Sequence, residues 1–290
     1  MTADPLNEAF EANRKHLRQV AFRLLGSASD ADDALQEAWM RVNRADATAV
    51  ENLGGWLTTL VARVCLDLLR SKRSRREEPG ATREGTVEPE ADWLLADSLG
   101  PALLIVLEAL SPAERVAFVL HDVFDLAFEE IAPIVGRSAA ATRQLASRGR
   151  RRVRGGQAEA DADLKRQREL VDAFFAASRS NDLQGLLAVL APDVVLRADE
   201  TALQVAASNK WGTGAGELGP ELRGADEVAN AFKGRAGGAK PALIDGAAGA
   251  VLAVHGEVRS AFAFTFEDGR ITEIELVMAP AKLSQLSIVR

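Results

Sequence analysis

The sequence predicts a mainly α-helical N-terminal half, built of a helical-bundle domain and a helix-turn-helix domain, followed by an α+β domain. Three observations predict it. Apolar residues recur at spacings of three and four through residues 8–73 and again through 101–154. Within the second stretch, "SPAE" at 111–114 opens a helix, and a glycine turn at Gly136 separates two further helical segments. Beyond Asp163 the period changes, and most of the later apolar residues alternate as they do in strands.

Composition and charge set the boundaries. The chain has 290 residues, 47% hydrophobic and 27% charged, enough for two or three domains with cores of their own. Its single cysteine, Cys65, excludes an internal disulfide, and its place in "LVARVCLDLLR" makes it a packed small hydrophobe. No apolar run approaches the roughly 18–20 residues of a membrane span, and "MTADPLNEAF" lacks a secretory pattern, so no membrane association and a cytoplasmic location are expected. The net charge of -7 conceals an uneven distribution. Residues 1–76 and 101–154 are each mildly basic, whereas 77–100 carries seven acids and one arginine and is broken by Pro79, Gly80, Gly85 and Pro89. That stretch reads as a linker, and "GGQAEADAD" at 155–163 as a shorter second one. The expected division is 1–76, a linker at 77–100, 101–155 and 156–290.

In the first domain, "DADDALQEAWMRV" places Ala34, Leu35, Ala38, Trp39 and Val42 on one stripe and leaves Asp32, Asp33, Gln36 and Glu37 largely off it, with Asp30 as the expected cap. "GGWLTTLVARVCLDLLRSKRSRR" repeats the pattern: Leu57, Leu60, Val61, Val64 and Leu68 share a face, and Arg63, Asp67 and Arg70 line the opposite one. In the second domain, Ser111 caps, Pro112 takes the first helical position and Glu114 returns to the cap amide. A short helix with Phe128, Ile131, Ile134 and Val135 follows, then a helix capped by Ser138. Ala141, Leu145 and Val153 are expected to pack inward, leaving Thr142, Arg143, Gln144, Ser147 and Arg148 toward a groove. "RQLASRGRRRVR" puts six arginines into twelve positions, and no acid lies between Arg137 and Arg154. Arginine suits nucleic acid, because its planar fork bonds two acceptors on a guanine edge and its charge releases counterions from phosphate. Pro133 inside the short helix and Gly149 inside the long one each carry a helical cost.

Taken in order, "DADDALQEAWMRV", "WLTTLVARVCLDLLRSKRSRR", the acidic linker and "LSPAERVAFVLHDVFDLAFEEIAPIVGRSAAATRQLASRGRRRVR" resemble a bacterial sigma factor of the extracytoplasmic-function class, over regions two and four and residues 8–154. The resemblance implies a transcription initiation factor whose partners are core RNA polymerase and promoter DNA. It implies that Asp33, Gln36, Glu37 and Trp39 dock on core polymerase. It further implies that Asn43, Asn52, Trp56, Arg63 and Arg70 handle the minus-10 element, Trp56 being either a stacking residue or a core tryptophan. Ser138, Thr142, Arg143, Gln144, Ser147, Arg148 and Arg151 then serve the minus-35 element.

From Asp163 the order is helix, short helix, a strand at Val194–Ala198, a helix in "GADEVANAFKGR", and three or four antiparallel strands turning at Gly246, Gly256 and Asp268-Gly269. That order resembles the SnoaL-like cone, a curved antiparallel sheet wrapped by helices around a pocket, in which Asp199 and Trp211 are the candidate residues for a small-molecule ligand. A domain that modulates the sigma factor is one reading, and an enzyme or ligand sensor fused to a DNA-binding module is the alternative. A dimeric repressor using the same helix-turn-helix would have no need of the Asp-rich helix. No cofactor is expected: "GAGELG" at 214–219 satisfies a dinucleotide pattern, but Pro220 follows it and no βαβ unit surrounds it. The histidines, at 16, 121 and 255, suggest no metal spacing.

Overall fold

The computed structural model describes residues 5–45, 50, 52–77, 106–155, 157–208, 218–235 and 237–290. The acidic linker from residue 78 onward and Trp211 lie outside the described residues. Contacts divide the chain into two compact units, Met1–Gly155 and Gly156–Arg290.

The first unit opens with helices α1 (Pro5–Leu25), α2 (Ala28–Val42) and α3 (Leu53–Glu77). Ser27, and not Asp30, caps α2: its Oγ accepts from the Asp30 amide at 3.3 Å. The helix starts three residues earlier than the acids suggest, which puts Asp30 in the first turn, where its carboxylate meets Lys72 Nζ of α3 at 2.5 Å. Leu57, Val61 and Val64 are buried with Leu17, Val20 and Leu24 of α1, and Leu60 and Leu68 pack at the margin. Cys65 is wholly buried among them.

Helix α4 (Pro112–Phe118) begins with the expected reciprocal cap: Ser111 Oγ accepts from the Glu114 amide, and Glu114 Oε2 accepts from the Ser111 amide at 3.0 Å. It continues as a π-helical turn, Val119–Val123. Helix α5 (Phe128–Val135) ends at Gly136 in the left-handed conformation, and α6 (Ala139–Val153) starts at Ser138, whose Oγ accepts from the Ala141 amide at 3.1 Å. This is the helix-turn-helix. Gly149 has a structural reason: a Cβ there would lie 2.9 Å from Phe118 Cβ and 3.3 Å from the Glu114 carbonyl. Its absence lets α6 lie close on α4, which offsets the helical cost of glycine. The bundle and the helix-turn-helix share one apolar cluster, and buried Arg115 joins them. Its Nη1 donates to Leu24 O at 3.0 Å and its Nε to Leu107 O at 2.9 Å, so a carbonyl in the last turn of α1 is satisfied from α4.

The second unit runs α7 (Gln157–Arg179), α8 (Leu183–Val189), β1 (Leu190–Ala198), α9 (Glu200–Ala207), β2 (Glu221–Arg223), α10 (Ala225–Phe232), β3 (Lys240–Ile244), β4 (Ala247–Val254), β5 (Glu257–Glu267), β6 (Arg270–Val277), α11 (Pro280–Leu283) and β7 (Ile288–Val289). Residues 157–163, expected as linker, are the first turns of α7. The alanines at 158, 160 and 162 carry high helical propensity.

The seven strands form one sheet in the order β2-β1-β6-β5-β4-β3-β7. It is mixed and not antiparallel throughout, because β1 runs parallel to β6 while every other pair is antiparallel. Parallel neighbours need a long crossover, here everything from α9 to β5, so alternation within β1 carries no trace of its partner. The consecutive strands from β3 to β6 are joined by two-residue turns, for example Asp268 at φ 49° and Gly269 at φ 73°, the geometry in which a tight hairpin matches strand twist. One sheet face packs Phe262, Phe264, Ile274 and Leu276 against Val171, Phe174 and Phe175 of α7 and Val228 and Phe232 of α10. Phe174 meets Phe232 and Phe264 edge to face at 4.9 and 5.5 Å. The opposite face, with Ile244, Val251 and Val277, is covered by Leu283, Leu286 and Ile288.

Candidate nucleic-acid and polymerase interfaces

The arginines of α6 divide by the face they occupy. Arg148 Nε donates to Glu114 Oε1 at 3.0 Å and Arg152 Nη1 to Glu114 Oε2 at 2.5 Å. The Glu114 side chain has no exposed surface and that of Arg148 only 11%. Arg150 makes a two-point bond to Asp122, at 2.7 and 2.9 Å. The arginine run therefore does have compensating acids. They come from α4 and the turn after it, outside the stretch Arg137–Arg154.

Two residues expected toward a groove are internal. Thr142 is wholly buried and its hydroxyl donates to Ser138 O at 2.8 Å. It shares a face with Leu145, Ala146 and Gly149, all buried. Arg148 turns to Glu114 because it stands next to that face, three residues after Leu145. On the other side, Arg143 is exposed, with Gln144, Ser147 and Arg151 half-buried beside it. The Arg143 guanidinium lies 5.3 Å from the Phe128 ring centre, so α5 props the side chain that α6 presents. Ser138 serves as the cap of α6.

On α2, Asp33 and Gln36 are exposed and Glu37 is half-buried, its carboxylate accepting from Arg41 Nε at 2.9 Å. Trp39 is partly buried against Phe10, ring centres 4.9 Å apart. Met40 is 42% exposed and lies four and three residues after Gln36 and Glu37, an apolar residue on the same outward stripe. Its place off the buried stripe was the signal in the sequence. Beside it, Arg18 Nε and Nη2 grip Asp32 at 2.6 and 2.9 Å and hold that carboxyl below the usual range.

Of the residues expected at the minus-10 element, Asn43 caps the end of α2, and Asn52 accepts from the Gly55 amide at 3.0 Å where α3 begins. Trp56 packs partly buried on the core. Arg63 is exposed, and its Nη2 donates to Pro133 O of α5 at 3.3 Å. Arg70, half-buried, follows on α3.

In the second unit, Asp199 is a structural group. It caps α9, Oδ1 accepting from Ala202 N at 2.9 Å, while Oδ2 accepts from Met278 N and Ala279 N, each at 2.8 Å. A buried carboxylate with both oxygens held by backbone amides ties α9 to the end of β6 and is not presented to a ligand. Among the described residues, no group of three or more His, Cys, Asp or Glu is placed to hold a metal ion, and no helix is long and apolar enough to cross a membrane.

The family described as Sigma-70 region 2 matches residues 9–75, and Sigma-70, region 4 matches residues 102–153. Along nearly its whole length the chain is similar to a probable ECF RNA polymerase sigma factor SigI of Mycobacterium tuberculosis, with 34% identity covering 98% of this chain and 96% of the relative. It is 42% identical to the ECF RNA polymerase sigma factor SigJ of the same organism over 66% of this chain and 64% of the relative. The crystal structure of SigJ aligns over 95% of this chain and 97% of that one at 32% identity, with a TM-score of 0.37. With both region families in order and a relative matched from end to end, the chain belongs to the extracytoplasmic-function RNA polymerase sigma factors, which act in transcription initiation.

Proposed function

We propose that this sigma factor engages core RNA polymerase through the outward stripe of α2, reads the promoter with α3 and α6, and is modulated by its C-terminal unit. Asp33, Gln36 and Glu37, with Met40 among them and Trp39 bracing the helix from the core side, offer a polar rim around an apolar centre, the composition of a docking patch. Asn43, Asn52, Trp56, Arg63 and Arg70 follow the end of α2 and the length of α3, where a melted minus-10 strand would lie. Arg63 would exchange its bond to Pro133 for DNA. Arg143, Gln144, Ser147 and Arg151 would meet the minus-35 duplex.

The observation that carries this reading is the division of α6. The arginines facing inward are neutralised by Glu114 and Asp122, while Arg143 remains at the surface, propped on Phe128. The C-terminal unit, SnoaL-like in its element order, acts in regulation and not in catalysis, because the carboxylate best placed for acid-base work, Asp199, is committed to backbone amides. The factor works in the cytoplasm, beside the polymerase.

The test is reconstituted transcription from purified core polymerase, with the full chain and with a truncation ending at Gly155. Promoter-dependent transcripts are expected from both proteins, in different yield. Absence of promoter-dependent transcript from both overturns the reading of the first unit, and equal yields across a range of core concentrations overturn regulation by the second.

A further inference from the structure

Among the described residues of the second unit, the buried Nε and Nη1 of Arg235 and the buried Oγ of Ser260 have no hydrogen-bond partner. Arg235 follows α10 in the connection to β3. Its backbone is pinned: wholly buried Ser178 of α7 sets its Oγ 2.6 Å from Phe232 O and 2.9 Å from Arg235 O, and the Gly234 amide donates to Ser178 O at 2.8 Å. The start of the Arg235 side chain is therefore fixed by α7. Ser260 sits on β5 with the parity of Phe262 and Phe264, hence on the helix-covered face, and is wholly buried. It stands opposite Leu252 of β4, next to a bulge in which the register shifts between Leu252 and Ala253. The connection that carries Arg235 reaches the same place, since a Cβ on Gly238 would lie 2.8 Å from Leu252 Cδ1. The connection that follows Arg235 and the strand pair that carries Ser260 thus meet at Leu252.

Arg235 as a residue is half-buried, but guanidinium nitrogens withdrawn from water without a hydrogen-bond partner are costly, and so is a buried hydroxyl without one. Burial also pushes the Arg235 pKa down. Elsewhere in the second unit this expense is avoided: Arg197 pairs with Glu221 and Glu273, and Arg223 with Glu221. Bulges recur where a strand re-aims a side chain at a binding site.

We propose that Arg235 and Ser260 form the polar end of a binding site for the carboxylate of a small, largely apolar organic acid. The guanidinium supplies charge-assisted hydrogen bonds and the serine hydroxyl a further donor, while the phenylalanine-rich interior suits an apolar body. A single cation matches a monoanion, whereas a phosphate dianion would bring an unmatched charge inside. This proposal is independent of the promoter-binding reading.

The experiment is calorimetric titration of the full chain with sodium octanoate, with octanol and inorganic phosphate as companion probes. Octanoate is expected to bind and to raise the melting temperature, octanol to bind at least about tenfold more weakly, and phosphate not to bind. Arg235→Met should keep or raise the melting temperature of the ligand-free protein and lose the octanoate response, and Ser260→Ala should weaken octanoate about tenfold. Should Arg235→Met fail to fold, the side-chain NMR signal of Arg235 Nε in the wild-type chain decides, because octanoate must shift it. Absence of octanoate binding, equal binding by Arg235→Met, an unmoved Nε signal, or phosphate binding in place of octanoate each overturns the proposal.

Discussion

The carboxylate of Glu114, without exposed surface, accepts from Arg148 Nε at 3.0 Å across 34 residues, and the same carboxylate takes Arg152 and the Ser111 amide. One side chain therefore starts α4 and fastens α6 to it. Glu114→Ala removes the acceptor from two guanidiniums, one of them nearly buried, and should destabilise the helix-turn-helix by about 3–5 kcal/mol. Hydrogen exchange of the α6 amides in the full chain checks this, with protection expected to fall there while the α7 amides keep theirs.

Arg143 and Arg148 should part company. Arg143→Ala is expected to leave the melting temperature unchanged and to cost about 1–3 kcal/mol in binding of a specific upstream promoter duplex, with a relaxed preference at one base pair. Arg148→Ala should act through stability, because it strips a partner from Glu114. Competition binding on a panel of single-base duplexes, run beside thermal melts, separates the two. Parallel affinity losses on every duplex for both variants would reduce the helix to a nonspecific basic surface.

Gly149→Ala is predicted to destabilise, although alanine is the better helix former by about 1 kcal/mol. The new methyl would meet the Cβ of Phe118 at 2.9 Å and the backbone oxygen of Glu114 at 3.3 Å, neither of which is the end of a flexible side chain. A net loss of about 1–3 kcal/mol in denaturant unfolding is expected. A gain in stability would show that α6 moves off α4 easily.

Met40→Asp, on the outward stripe of α2, should weaken association with core polymerase by about tenfold or more with no change in thermal stability, since the side chain is 42% exposed and supports no core contact in the free protein. Charge reversal at Asp33 should weaken it as well. Surface-captured core polymerase and titrated sigma factor give the measurement, and unchanged affinity for both variants would move the docking surface elsewhere.

What was legible in the sequence was mostly local. The Ser111–Glu114 cap, the Gly136 turn and the two-residue hairpin turns are set by residues within four positions of one another, and they stand where the residues predict them. Relations across the fold were not legible. Glu114 reads as a capping residue, and nothing near it in sequence announces Arg148 and Arg152. The parallel pairing of β1 with β6 leaves no mark on either strand. Asp199 is a ligand candidate from the resemblance to a cone, yet an aspartate just before a helical stretch is also a helix cap, and the amides of Met278 and Ala279 add the rest. Met40 lies off the buried stripe, where an apolar residue carries no mark of what it faces.

Cys65 gives the first unit a clock of its own. Burial pushes its thiol well above the ordinary range, so no thiolate forms at neutral pH while α3 stays packed. A disulfide-exchange reagent should find this sole cysteine only in molecules whose bundle has opened, and the labelling rate then counts openings. Binding of core polymerase or promoter DNA, each of which would stabilise or release the bundle, should register as a slower or faster tick, with no foreign probe attached to the chain.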